Sequence, residues 1–290
     1  MGNMIRGISE NGGVIFCGVD STSMVRTMEQ IHKTSAVTSA ALGRLLTAAS
    51  IMGIMLKNSK DSITLRVNGG GPAGTVLAVA DGLGCVKGYV ENPIVEIPLR
   101  EDGKLNVGAA VGRDGTLSIV RDLGLKEPYV GQIPLVSGEI AEDITSYYAI
   151  SEQIPTVCAL GVLVAPDLTI SCAGGYLLQL LPGATEEEIS MLERNIAKVP
   201  SVTNLLQDGK TMKDIMEMVM EGFDPQVLDE YDVEYNCNCS KERVERALLS
   251  MGKAELEKLA QEEKTVEVNC QFCDKKYHVD VQALLDSVEK

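Results

Sequence analysis

Cys237-Asn238-Cys239 and, well downstream, Cys270-Gln271-Phe272-Cys273 are the residues of this 290-residue chain whose types and spacing could do chemistry. Four thiolates fill a tetrahedral zinc site, and two short knuckles joined by a helical spacer can be brought to one point. On spacing alone, a purely structural zinc module is favoured over a switch. The first pair shifts that balance. Cys-x-Cys sets two sulfurs one residue apart, so oxidation closes a very small, strained ring whose bond is readily reversed. Zinc keeps the thiols as thiolates, the form that oxidants attack, and a module this small depends on metal for folding energy. The pattern predicts one zinc per chain and a site whose oxidation unfolds its surroundings.

The elements around these cysteines must be short. Ser240 is placed to cap a helix from Lys241 to Met251, Gly252 stops it, and Lys253 to Glu263 forms a second helix before Cys270. Upstream, residues 183–236 carry helical stripes. Thr185 with Glu188 is a capping-box pattern for a helix through Lys198, ended by Pro200, and short helices are expected over 202–207 and 212–222. This segment has 13 acidic and 4 basic side chains. It is too small for its own core and must lean on a neighbour. In its last helix Met212, Ile215, Met216 and Val219 form the docking stripe, for which ordinary packing suffices, while Met218 and Met220 fall off it. Adaptable thioether surface is what a promiscuous binder needs, so these six residues are candidates for a binding or linker surface.

Residues 1–182 read differently, as strands punctuated by glycine. Met4–Glu10 and Val14–Asp20 flank the hairpin signal Asn11-Gly12-Gly13, and further strands are expected over 63–67, 76–80, 85–90, 94–99, 116–120, 132–136, 157–164 and 169–181. A buried helix is expected over 36–56, with His32 near its start, and another over Glu139–Ser151 with Ser137 as cap. Arg44 in the middle of the first helix argues against a membrane span. Strands and helices are segregated without regular alternation, so the class is α+β. It comprises a large N-terminal sheet-and-helix domain (1–182), an acidic helical linker (183–236) and a small C-terminal zinc-binding domain (237–290).

The remaining signals are weaker. Gly69 to Gly74 matches a dinucleotide fingerprint formally, but a strand follows where the phosphate-binding helix is needed, so a tight turn is expected. Cys17, Cys85, Cys158 and Cys172 are scattered through apolar strands as small core residues. His278 reads as a solvated hairpin position, since four cysteines already complete a tetrahedron. The sequence identifies no nucleophile to pair with His32, and no catalytic residue is assigned. The net charge of -15, from 41 acidic and 26 basic residues, repels phosphate backbones and argues against nucleic acid. Eight cysteines with no secretory pattern at the N-terminus point to a reducing, cytoplasmic setting.

The chain resembles the bacterial heat-shock protein 33 (Hsp33) family of redox-regulated chaperones over essentially its whole length. The cysteine pairs carry the resemblance together with Ala41-Leu42-Gly43-Arg44, Gly69-Gly70-Gly71-Pro72, Gly88-Tyr89-Val90-Glu91-Asn92-Pro93, Val120-Arg121-Asp122-Leu123-Gly124-Leu125, Val136-Ser137-Gly138-Glu139, Ser151-Glu152-Gln153-Ile154-Pro155 and Ala173-Gly174-Gly175. The resemblance implies that Cys237, Cys239, Cys270 and Cys273 bind zinc when reduced and that oxidation pairs Cys237 with Cys239 and Cys270 with Cys273. Zinc then leaves, and module and linker loosen. It also implies an ATP-independent holdase acting in the stress response. Such a chaperone works as a homodimer through the 1–182 domain and hands its unfolded clients to ATP-dependent foldase chaperones. A zinc ribbon for nucleic acid and a thiol oxidoreductase using Cys270 and Cys273 are the rivals; the acidic balance argues against the first, and the lack of a thioredoxin-like βαβ context against the second.

Overall fold

The computed structural model describes residues 2–288 and divides into two units, Met1–Asn236 and Cys237–Lys290. In the first unit, strands β1 (Gly2–Ile8) and β2 (Val14–Asp20) form the expected hairpin. Next come α1 (Thr22–His32) and α2 (Ala36–Ile54). Then β3 (Ser62–Gly70), β4 (Val76–Asp81), β5 (Val86–Val90), α3 (Val107–Val111), β6 (Gly112–Asp122) and β7 (Tyr129–Pro134) follow. The chain continues through α4 (Ala141–Tyr147), β8 (Thr156–Val164) and β9 (Ile170–Leu180), then α5 (Glu186–Lys198), α6 (Val202–Gln207), α7 (Met212–Val219) and β10 (Gln226–Val233).

Two five-stranded sheets result, ordered β10-β1-β2-β9-β8 and β5-β4-β3-β6-β7. Helix α2 packs against both of them. All its residues except Ala36 and Arg44 are buried, which is why its sequence is apolar all round and passes for a membrane span by length and hydropathy. Strand alternation then buries both faces of the first sheet. Met4, Cys17, Val19 and Leu177 face the core around α2, while Ile5, Phe16, Tyr176 and Leu178 face a second core built with α5 to α7. Glycines make room there, since a Cβ at Gly7 would collide with the Met216 sulfur.

Several local expectations are corrected. Residues 94–99 form no strand: Pro93 and Pro98 interrupt the donors a ladder needs, and Ile94 and Leu99 lie exposed. The helix expected over Glu139–Ser151 is α4 followed by a π-helical turn, Tyr148–Glu152. Its N-terminus is organised by the buried carboxylate of Asp143 instead of by Ser137. One Asp143 oxygen accepts the amides of Val136 at 2.8 Å and Ser137 at 3.1 Å, and the other accepts Ile140 at 3.0 Å. His32 ends α1, a helix that the pattern did not announce, and lies four residues before α2 begins. Residues 183–236 are helical as far as Val219, but Gln226–Val233 is strand β10, antiparallel to β1. In the glycine run at 69–74, Gly69 and Gly70 end β3 and the residues after them turn into β4, with Gly70 at φ 73°.

The second unit contains α8 (Lys241–Leu249), α9 (Lys253–Glu262), the hairpin β11 (Thr265–Asn269) and β12 (Lys276–Asp280), and a further helix, α10 (Val281–Val288), that the sequence reading missed. Among the described residues its buried apolar cluster consists of Leu256, Val266, Val279, Val281, Leu284 and Leu285. So small a core is a weak source of stability for a unit of this length.

Candidate metal centre

Cys237 and Cys239 flank Asn238 just before α8, whose N-terminus Ser240 caps by accepting the Arg243 amide at 3.3 Å. Cys270 and Cys273 sit on the turn between β11 and β12. There the Cys270 carbonyl accepts the amides of Cys273 at 3.3 Å and Asp274 at 2.8 Å, and Asp274 takes a left-handed φ of 57°. The hairpin ladder, closing at Asn269 opposite Lys276, therefore fixes the direction in which the second pair points.

The four sulfurs lie within 4.8 Å of one another, with Cys237 to Cys270 at 3.6 Å and Cys239 to Cys273 at 3.4 Å. Ideal tetrahedral coordination at a zinc–sulfur distance of about 2.3 Å requires sulfurs about 3.8 Å apart. The cluster thus fits a single metal ion held by four thiolates, and all four are free thiols here, half-buried. Their environments differ. Burial pushes the Cys239 thiol up, but hydrogen bonds from Tyr277 and the neighbouring thiols outweigh it and bring the group down to about 7. Burial raises Cys237 and Cys273 above the ordinary thiol value. Donating to Cys239 in turn raises the Tyr277 hydroxyl. An electron-rich sulfur at Cys239 stabilised by donors around it is the character a metal ligand requires.

Tyr277 was not singled out in the sequence. It stands four residues past Cys273 in an alternating strand, where a half-polar aromatic is unremarked. His278 is exposed on β12, with its Nε2 3.8 Å from Glu267, away from the cysteines.

The methionine candidates lie in the first unit. Met212, Ile215, Met216 and Val219 are buried against the first sheet, and Met218 is half-buried at the edge of that core. Met220 departs from expectation and is fully buried: α7 ends at Val219, and Met220, at φ -104° and ψ 28°, no longer follows the helical period.

Burial disfavours the thiolate form of the other four cysteines. Burial lifts Cys17 to about 12 and also raises Cys85, Cys158 and Cys172, and the Cys172 thiol donates to the Thr203 carbonyl at 3.4 Å. Iodoacetamide at neutral pH is therefore expected to leave Cys17 and Cys158 unlabelled in the native protein, whereas chelator treatment opens the four module cysteines to labelling. Peptide mass mapping reads this directly, and rapid native labelling of Cys17 would contradict it.

A family profile described as Hsp33 protein matches residues 2–280. The chain is 49% identical over 287 residues to the 33 kDa chaperonin of Clostridioides difficile, covering 99% of this chain and 98% of that one. It is 44% identical over 277 residues to the 33 kDa chaperonin of Clostridium tetani, covering 96% and 94%. Among solved structures, the 33 kDa chaperonin (heat shock protein 33 homolog) of Thermotoga maritima matches with a TM-score of 0.90 and 36% identity over 99% of each chain.

Proposed function

This chain belongs to the Hsp33 family, whose relatives are named 33 kDa chaperonins, and we propose that it is a redox-regulated, ATP-independent holdase that binds unfolding proteins under oxidative stress. The chaperone function follows from the family. The observation that carries the regulated form is the four-thiol cluster in a unit whose described apolar core is small. That unit continues directly from a segment whose helices cover apolar residues of the first sheet.

In this reading zinc is the metal, one per chain, held by Cys237, Cys239, Cys270 and Cys273. When bound it neutralises the packed thiolates and ties the two knuckles together. Oxidation pairs Cys237 with Cys239 and Cys270 with Cys273. Each disulfide formed gives two electrons to one peroxide, which leaves as two waters. Sulfurs in disulfides are no longer anionic ligands, so the site releases its metal and the unit loses the metal-derived part of its folding energy.

Residues 183–236 are the next to loosen. They hold 13 acidic side chains against 4 basic ones, so their helices repel one another and depend on apolar burial against the first sheet. Their release bares Ile5, Phe16, Tyr176 and Leu178, together with the thioether face of Met212, Met216, Met218 and Met220. Both surfaces suit unfolded clients of mixed sequence. Residues 1–182 would carry the homodimer, the setting would be the reducing cytoplasm, and held clients would pass to ATP-dependent foldases.

The test is zinc content measured beside suppression of client aggregation, before and after peroxide. We expect about one zinc per chain and little suppression before treatment, and metal loss with strong suppression after it. Metal loss without any gain in suppression would leave a structural module and remove the switch.

A further inference from the structure

The Tyr277 side chain reaches into the metal centre from outside the four thiols. Tyr277 lies on β12 opposite Val268 of β11 and is only 8% exposed. Its hydroxyl donates to the Cys239 sulfur at 3.0 Å. The ammonium of Lys275 lies 5.3 Å from the centre of the same ring. A cation over the face of a phenol draws density from the ring and makes its hydroxyl a better donor. A donor on a thiolate draws density from sulfur and occupies a lone pair that a peroxide oxygen would otherwise meet.

We propose that Tyr277 is a positioning residue that sets the oxidant threshold of the cluster, by holding Cys239 in place and blunting its sulfur as a nucleophile. This inference rests on the redox reading above. The reaction itself is unchanged: a thiolate attacks peroxide, a sulfenic acid forms with loss of hydroxide, and a second thiolate displaces a second hydroxide to close the disulfide, both hydroxides being protonated to water. Tyr277 slows the first of these steps at Cys239, because the hydroxyl must turn away before oxygen approaches.

Tyr277→Phe in the full chain keeps the ring and removes only the donor. With cobalt(II) as the probe in place of zinc, the thiolate-to-metal absorption band is expected to move to longer wavelength, since a sulfur without its hydrogen bond gives up an electron more easily. With zinc loaded, peroxide should release the metal about fivefold faster, the scale of one charge-assisted hydrogen bond partly lost. A structural role alone would not move the cobalt band. Unchanged release with a shifted band would overturn the threshold role, and faster release with an unshifted band would reduce Tyr277 to a packing residue.

If the Phe variant fails to take up one zinc, Lys275→Gln carries the test: the hydroxyl stays, and both readouts should move the same way by a smaller amount. Equality with the parent protein there would overturn the proposal. Neither readout uses a client, so a fast-releasing variant beside a parent that never gains chaperone activity would fault the switch and not Tyr277. A parent that keeps its zinc under peroxide would end both.

Discussion

Replacing Cys270 with serine is expected to empty the metal site and unfold the C-terminal unit from Cys237 onward, while leaving the first unit folded. This is the larger of two strong effects expected from the structure. A structural zinc site at neutral pH contributes on the order of 10–16 kcal/mol of apparent free energy, comparable to the whole stability of an ordinary domain, about 5–15 kcal/mol. Against that, the described residues of the second unit offer a cluster of six buried apolar side chains and one two-stranded sheet. Its α8 buries no residue fully, and α9 buries only Leu256. Nothing in so thin a core can replace a ligand set in which each sulfur closes one corner of the tetrahedron. Cys237→Ser should act alike, because it removes the other member of the 3.6 Å pair. Metal analysis and amide resonances provide the measurement: signals from the module should collapse to unfolded positions, and those of the first unit should stay. Stoichiometric zinc in either variant would show that the ligand set is wrong.

Ending the chain near Gly183 should yield a chaperone that needs no oxidant. That cut removes α5 to α7 and β10, and with them Leu192, Val202, Leu205, Met212, Ile215, Met216, Val219 and Met220, the cover of Ile5, Val14, Phe16, Tyr176 and Leu178. An uncovered apolar sheet face of this kind is an association surface. In reducing buffer the short chain is expected to suppress client aggregation about as well as the peroxide-treated full chain. A chain ending near Val233 keeps the three helices and β10, and should retain partial inhibition. The cut at 183 also leaves β1 as an edge strand in place of β10, so sedimentation must accompany light scattering to separate client binding from self-pairing. A short chain that is folded, dimeric and inert would mean that residues 183–236 are not a removable cover, and that clients bind within them.

What was legible in the chain was local. Metal-ligand spacing, the hairpin at Asn11-Gly12-Gly13, and the capping box of Thr185 and Glu188, whose carboxylate accepts the Thr185 amide at 2.7 Å, each involve residues a few positions apart. The apolar run of α2 was equally plain, because a helix covered on every side must be apolar on every side. Other features depend on partners far away in sequence. The acidic stretch Gln226–Val233, where Asp229 interrupts the alternation of Val227, Tyr231 and Val233, becomes a strand because β1, at the opposite end of the first unit's sequence, offers it a ladder, with Arg6 paired to Asp229. Asp143 becomes a cap only because the chain preceding α4 folds back over its carboxylate. Met220 is buried because α7 stops one residue before it, and no periodicity encodes that stop. Composition and spacing thus determined that four thiols would meet at one point able to hold a metal. Only the tertiary structure decided that the Tyr277 hydroxyl meets the sulfur of Cys239, because that contact requires the β11–β12 register and the knuckle before α8 at once.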